Sequence, residues 1–176
     1  MGIEEYIRQT GKVVSFKSNQ HVFQQGDQNT YLYFVKEGLL KAYYVTPDGK
    51  EFVKSFIGKN QIIGSIQSAF TETGCSFSLC CLKDCKLQQM DVKEIQKVSE
   101  ENIEVANGVI QVLIDLAIKK EKREYEFLCL SPEERYLSLL NDNPDIHQQV
   151  TQNDMARYLG ITPVALSRIK KRLISL

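Results

Sequence analysis

A chain of 176 residues, 43% of them hydrophobic, has enough apolar material to bury a core as one large domain or two modest ones. Lysine plus arginine equals aspartate plus glutamate at 22 each, so the charge of the whole chain gives no pull towards a polyanion. No apolar run approaches bilayer-spanning length, and the opening residues MGIEEYIRQTGK lack a signal-peptide core; the expectation is a soluble cytoplasmic protein with no membrane partner.

Residues 12–90 read as short strands divided by turns. YLYFVKEGLLKAYYV crowds apolar and aromatic residues around Gly38, and TPDGK at 46–50 places Pro, Asp and Gly where a tight turn between strands needs them. Gly26, Gly58, Gly64 and Gly74 punctuate the remainder at the spacing of an all-β barrel or sandwich.

Beyond Val98 the period changes. Ile103, Ala106, Val109, Ile110, Leu113, Leu116 and Ala117 recur at three and four residues and draw an apolar stripe along a long helix. Val105, Val112 and Ile114 widen it beyond what packing on one domain requires. Two readings stand: a helix packed on its own domain, or a helix whose surplus face pairs with a second copy through Ala106, Val109, Ile110, Leu113, Leu116 and Ala117. The charged stretch IKKEKREYEF at 118–127 reads as solvated and suited to a hinge.

A new helix opens at SPEERYLSLL. Ser131 caps the first amides, Pro132 suits the first helical position, and Glu133 and Glu134 suit the positive helix end. NDNP at 141–144 stops it, and Thr151 caps another helix with Asp154 at its third position. In NDMARYLGITPVALSRIKKRL, Ala156 is small where two helices approach, Gly160 supplies the turn, Ile161 plugs the angle, and Thr162 and Pro163 start a second helix that buries Leu166, Ile169 and Leu173. This predicts a helix-turn-helix.

Its open face carries Thr162, Pro163, Val164, Ser167, Arg168 and Lys171, a set able to lie in a major groove. Gln152, Asn153 and the amides at the two helix starts are placed to hold phosphates. Charge agrees: no arginine occurs between Arg8 and Arg123, whereas Arg157, Arg168, Lys170, Lys171 and Arg172 follow Thr151 with a single acid, Asp154. Double-stranded DNA is the expected partner. An enzyme is not expected: only His21 falls in the strand-rich part and His147 in the helical end, too few for a metal-dependent barrel enzyme, and no phosphate loop or nucleophile elbow occurs. No catalytic residue, metal site or cofactor is assigned. The alternative is a ligand- or redox-sensing barrel that acts through protein interaction without reading DNA.

The ordered set VFQQGD, YFVKEGLLKAYYVTPDGKE, SFIGKNQIIGS, FLCLSPEERYLSLL and VTQNDMARYLGITPVALSRIKKRL resembles the Crp/Fnr family of bacterial transcription regulators. The resemblance implies an α+β protein: a cyclic-nucleotide-binding-like β-barrel or jelly roll that senses an effector (1–98), a long dimerisation helix (99–126) and a DNA-binding helix-turn-helix of the winged-helix kind (127–176). It also implies a homodimer on a pseudo-palindromic operator, acting on RNA polymerase.

Three departures shape the expectation. Where cyclic-AMP-binding members carry Gly-Glu for the ribose and Arg-Ser for the cyclic phosphate, this chain has Gly64-Ser65 and Cys75-Ser76, which mark the candidate effector pocket. Without a bidentate arginine a buried phosphate loses its main partner, and no barrel arginine can replace it. Lys83, the nearest basic residue in sequence, lacks the planar fork, so an effector other than cyclic AMP is expected. Val164 stands where many relatives have glutamate, which bars transfer of their base preference. The chain stops at Leu176, so a wing that is short or absent, with fewer phosphate contacts, is expected.

Five cysteines, Cys75, Cys80, Cys81, Cys85 and Cys129, are open to two readings. Alternation along a strand points Cys80 and Cys81 to opposite faces, which argues against joint ligation of one ion. Small buried apolar side chains is one reading; a thiol sensor, with Cys75 and Cys81 sharing a face with Phe77 and Leu79, is the other.

Overall fold

The computed structural model describes residues 2–71 and 73–174, the last by its backbone. The chain begins with α1 (Ile3–Thr10), which the strand reading left without structure; Ile3 and Ile7, one turn apart, are both buried. Eight strands follow: β1 (Lys12–Phe16), β2 (His21–Phe23), β3 (Tyr31–Glu37), β4 (Leu40–Val45), β5 (Glu51–Ile57), β6 (Ile62–Gly64), β7 (Ser78–Cys81) and β8 (Cys85–Asp91). The short α2 (Ile66–Phe70) interrupts them after β6.

They form two antiparallel four-stranded sheets, β1-β8-β3-β6 and β2-β7-β4-β5. The inner faces meet in a core of Phe23, Tyr33, Val35, Leu40, Ala42, Ile57, Phe77, Leu79 and Leu87, with Cys75, Cys81 and Cys85. The 46–50 turn closes as its residues require, Thr46 N–H donating to Lys50 O at 2.9 Å and Gly49 at φ 81°. Gly38 joins β3 to β4 at φ 105°, where a side chain would collide with Cys85.

The register of β4 against β5 slips by one residue. Ala42 pairs with Ser55 but Tyr43 with Val53, so Lys54 is the extra residue of a β-bulge. Alternation inward from Ile57 would turn Lys54 outward. Instead Val53 packs on the outer face with Tyr43 and Cys80, and the Lys54 ammonium lies 4.0 Å from the ring centroid of Phe77, in the barrel core.

After β8 come α3 (Val92–Glu101) and the 27-residue α4 (Ile103–Cys129), capped by the Asn102 side chain. α4 divides its stripe between a packed side and an exposed one. Val105 is fully buried with Ile3, Ile7, Phe34, Met90 and Ile95, and Val109 and Val112 pack against the same cluster. Gly108 admits the backbone of Ile3, which an added Cβ would meet at 2.6 Å. The other side leaves Ile103, Ile110, Leu113, Ile114 and Ile118 exposed, Ile110 by 54%. Val109, expected in a seam with a second copy, is thus engaged by its own domain because α1 and α3 claim that side of the stripe.

The final unit comprises α5 (Pro132–Asp142), α6 (Ile146–Gln149), α7 (Gln152–Leu159) and α8 (Pro163–Ile174) around Tyr136, Leu139, Ile146, Met155, Ala156, Leu159, Leu166 and Ile169. Ser131 and Glu134 form a reciprocal capping box at α5. The expectation of a wing that is short or absent concerns residues 175–176 after α8, which lie outside the described residues.

Candidate nucleic-acid interface and effector barrel

The helix pair α7–α8 is built by local chemistry. Thr151 Oγ1 accepts from Asp154 N–H at 3.1 Å, and Thr162 Oγ1 accepts from Ala165 N–H at 3.2 Å. Gly160 between them is left-handed (φ 70°, ψ 31°), and a Cβ there would meet the Phe127 ring at 2.9 Å. Leu166 and Ile169 are buried as expected, and Leu173 packs against the same cluster.

The open face of α8 presents Thr162, Pro163, Val164, Arg168 and Lys171 to solvent, with Ser167 half-buried among them. Val164 is 61% exposed, far more than a structural valine requires. Gln152 and Asn153 are exposed at the start of α7, and the Gln152 amide donates to Pro163 O at 3.3 Å, which ties the two helix starts together. The structure therefore brings together all eight residues assigned from sequence to a DNA-facing surface.

The basic patch that sequence suggested is smaller than its count. Arg172 pairs with Glu133 at 2.8 Å, Lys170 lies over Tyr136, and Arg157 turns away to bind Glu51 on β5. Arg168 and Lys171 are both exposed on the open face. Arg157 instead belongs to a connection that sequence reasoning missed. Lys41 Nζ on β4, 13% exposed, donates to Asp154 Oδ1 at 2.7 Å and lies 3.9 Å from Glu51. Phe56 and Tyr158 stack beside it, ring centroids 5.4 Å apart. Asp154, read as part of a cap, is thus also the anchor of the helix-turn-helix on the barrel. A cleft of about 460 Å³ lies along this seam, lined by His21, Lys41, Tyr43, Glu51, Thr151 and Asp154 among others.

The charged stretch at 118–127 is largely exposed, as read, but it continues α4 without a break, and Arg123 and Glu126 turn inward. Arg123 is sandwiched by Tyr158 and Phe127, its guanidinium carbon 3.7 and 4.4 Å from their ring centroids, and donates to Tyr158 O. Burial lowers the pKa of its guanidinium and raises that of the Tyr158 phenol. Glu126 is buried and accepts from Ser138 Oγ at 2.6 Å. Arg135 also lies over Phe127, 4.9 Å from its ring centroid, and donates to Leu130 O and Leu159 O. The end of α4 is packed into the helix-turn-helix unit.

Inside the barrel, Tyr33 donates to Asn29 Oδ1 at 2.8 Å, and burial raises its phenol to about 12. Lys54 moves the other way, down to about 8, through burial and repulsion from Lys120 on α4. Lys83, the basic residue nearest the candidate pocket in sequence, is instead exposed in the turn between β7 and β8. Burial pushes the Cys80, Cys81 and Cys85 thiols up, away from the reactive thiolate. Cys81 faces the core and Cys80 the outer patch, so alternation held there; Cys129 is exposed.

A strand-built N-terminal roll, a long helix and a C-terminal helix-turn-helix now stand in one chain, and the family profile described as "Cyclic nucleotide-binding domain" matches residues 13–102. The chain belongs to the Crp/Fnr family of transcription regulators. It is 23% identical over 172 residues to the nitrogen fixation regulation protein FixK of Bradyrhizobium diazoefficiens, covering 93% of this chain and 72% of that protein. Against the fumarate and nitrate reduction regulatory protein of Vibrio cholerae it is 24% identical over 166 residues, 89% of this chain and 66% of the relative. The solved structure of FixK2 from Bradyrhizobium japonicum superposes with a TM-score of 0.82 at 15% identity, over 94% of this chain and 85% of that one, which establishes the shared fold. These relatives are regulators rather than enzymes.

In this Crp/Fnr chain the four residues assigned to the effector pocket lie on two segments. Gly64 ends β6 against Leu32, and the buried Ser65 caps α2, accepting from Ser68 N–H at 3.3 Å. Cys75 is buried and exchanges backbone hydrogen bonds with Gly26 and Asp27, with Ser76 following it before β7. Among the described residues no group of three or more His, Cys, Asp or Glu is placed to hold a metal, and no helix is long and apolar enough to cross a membrane.

Proposed function

We propose that this Crp/Fnr regulator binds DNA sequence-specifically as a homodimer, inserting α8 into successive major grooves of a pseudo-palindromic operator in the cytoplasm. It would act on transcription by RNA polymerase under the control of a small effector that is not cyclic AMP. The observation that carries the reading is the division of α8: Leu166 and Ile169 are buried, whereas Thr162, Pro163, Val164 and Arg168 are turned to solvent behind a left-handed Gly160. Thr162 also caps α8, but nothing in its packing needs the exposed Val164 or Arg168, whereas groove readout uses this mixture of hydroxyl, apolar and guanidinium groups. The dimer is supported by the free apolar side of α4, centred on Ile110, Leu113 and Ile114. Two recognition helices about 34 Å apart would meet half-sites one turn of DNA apart.

Selection of bound sequences from a random duplex pool tests the proposal: two related half-sites with centres about 10 base pairs apart are expected. On the selected site Arg168→Ala is expected to relax one position by about 1–3 kcal/mol, and Lys171→Ala to weaken all sequences alike. Failure to enrich any site, with no salt-sensitive DNA affinity, would favour a barrel acting through protein contacts alone.

A further inference from the structure

We infer that Val164 makes this regulator a reader of the C5-methyl group of pyrimidines: in each half-site it selects a thymine, beside the base held by Arg168, through the methyl that thymine shows in the major groove. The inference rests on the DNA reading above and names the base chemistry that the same surface recognises.

Val164 is the second residue of α8, in the first turn, the part of a recognition helix that meets base edges. It is 61% exposed, whereas Leu166 and Ile169 of the same helix are buried, so α8 is seated without it. β-Branching leaves a helical valine one strongly preferred rotamer, which fixes its two methyl groups before DNA arrives. An exposed isopropyl group gains by covering another apolar group, and the apolar group that a base edge offers in the major groove is the methyl of thymine. Arg168 lies one helical turn further on, on the same side, about 5–6 Å away between Cβ atoms. Bases follow one another every ~3.4 Å along a strand, so the two side chains address neighbouring base pairs or the next but one.

The polar groups around Val164 exclude the other bases. Cytosine and adenine show an amine in the major groove and need an acceptor there; guanine shows two acceptors, which Arg168 can satisfy and Val164 cannot. Among the described residues the open face of α8 holds no carboxylate or carboxamide, and Arg168 and Lys171 only donate. Its hydroxyls are partly engaged, since Thr162 Oγ1 accepts from Ala165 N–H at 3.2 Å and Ser167 is half-buried. The nearby acids face elsewhere, Asp154 bound by Lys41 at 2.7 Å and Glu133 by Arg172 at 2.8 Å. The Gln152 amide is tied to Pro163 O. An amine against Val164 would therefore be desolvated without a partner, whereas thymine meets a matching surface. The same contact makes binding sensitive to chemistry at C5: 5-methylcytosine carries the group that Val164 covers, and deoxyuridine lacks it.

The test is binding of the full chain to its selected duplex with each thymine of one half-site replaced in turn by deoxyuridine, which removes a single methyl. One such replacement, within about two base pairs of the position that Arg168→Ala relaxes, is expected to weaken binding about fourfold, the worth of one buried methyl. In Val164→Ser, checked for fold by circular dichroism, thymine and deoxyuridine at that position are expected to bind alike. A cytosine placed there is expected to bind the unaltered protein more tightly once methylated at C5. Equal affinity for every deoxyuridine duplex, a thymine preference that survives Val164→Ser, or no gain from 5-methylcytosine would each overturn the inference. Selection of a site that is insensitive to deoxyuridine retires methyl reading and leaves the DNA reading standing; failure to select any site retires both.

Discussion

Replacing Lys41 with methionine tests whether the barrel and the helix-turn-helix are held by charge. The Lys41 and Asp154 side chains are 13% and 8% exposed and meet at 2.7 Å, so removal of the cation leaves a largely buried carboxylate without its nearest partner. Breaking such a pair from one side typically costs about 3–5 kcal/mol. Two features reduce that here: Thr151 Oγ1 donates to Asp154 Oδ2 at 2.8 Å, and Arg157 lies 3.9 Å from Oδ1. A loss of about 2–3 kcal/mol is therefore expected for Lys41→Met. Asp154→Asn retains a side chain able to accept from Thr151, and leaves Lys41 with Glu51 at 3.9 Å, so it should cost less, about 1–2 kcal/mol. In the double variant neither charge is stranded, and the combined loss should fall at least about 1 kcal/mol short of the sum. Urea unfolding of all four proteins by circular dichroism, with unchanged m, measures this. Additivity within about 0.5 kcal/mol would mean that the two side chains are not coupled and that apolar contacts such as Phe56 on Tyr158 hold the seam.

Lys54 gives a pH signature. Its ammonium loses its proton at about 8 in the folded chain and near 10.5 when unfolded, so the unfolded state holds more protons between those values. Stability should then rise with pH through that window by up to about 3 kcal/mol relative to Lys54→Met, with Lys120 the facing charge that contributes; parallel urea midpoints for the two proteins from pH 7.5 to about 9.5 would contradict the burial. Leu113→Glu, on the exposed side of α4, should convert the dimer to monomers by light scattering without unfolding the barrel; an undisturbed dimer would place the seam elsewhere. Gly160→Ala combines φ 70° with a contact to Phe127 at 2.9 Å and should lower stability by about 1–3 kcal/mol, read by thermal unfolding; no loss would show that the α7–α8 turn tolerates another conformation.

The helix-turn-helix was legible from sequence because everything that builds it is local. Thr151, Gly160, Thr162 and Pro163 act within one turn of chain, and the buried set of Leu166 and Ile169 follows from helical period alone. The strand pattern, the turn at 46–50 and the opposite facing of Cys80 and Cys81 were legible for the same reason. Sequence also showed that α4 carries more apolar surface than one face uses, but period cannot say which neighbour covers which side. That was decided when α1 and α3 took Val105, Val109 and Val112 and left Ile110 and Leu113 free.

Partners distant in the chain leave no local trace. Asp154 looks like any helix-start acid until Lys41, 113 residues earlier, reaches it, and Arg157 looks like a phosphate contact until Glu51 takes it. Lys54 is the sharpest case, because a single-residue slip between paired strands reverses the side of the sheet a residue occupies. The amino-acid sequence by itself determined the reading head and the alternation of the barrel walls. Only tertiary pairing decided which charges are spent between domains and which one is left inside the barrel.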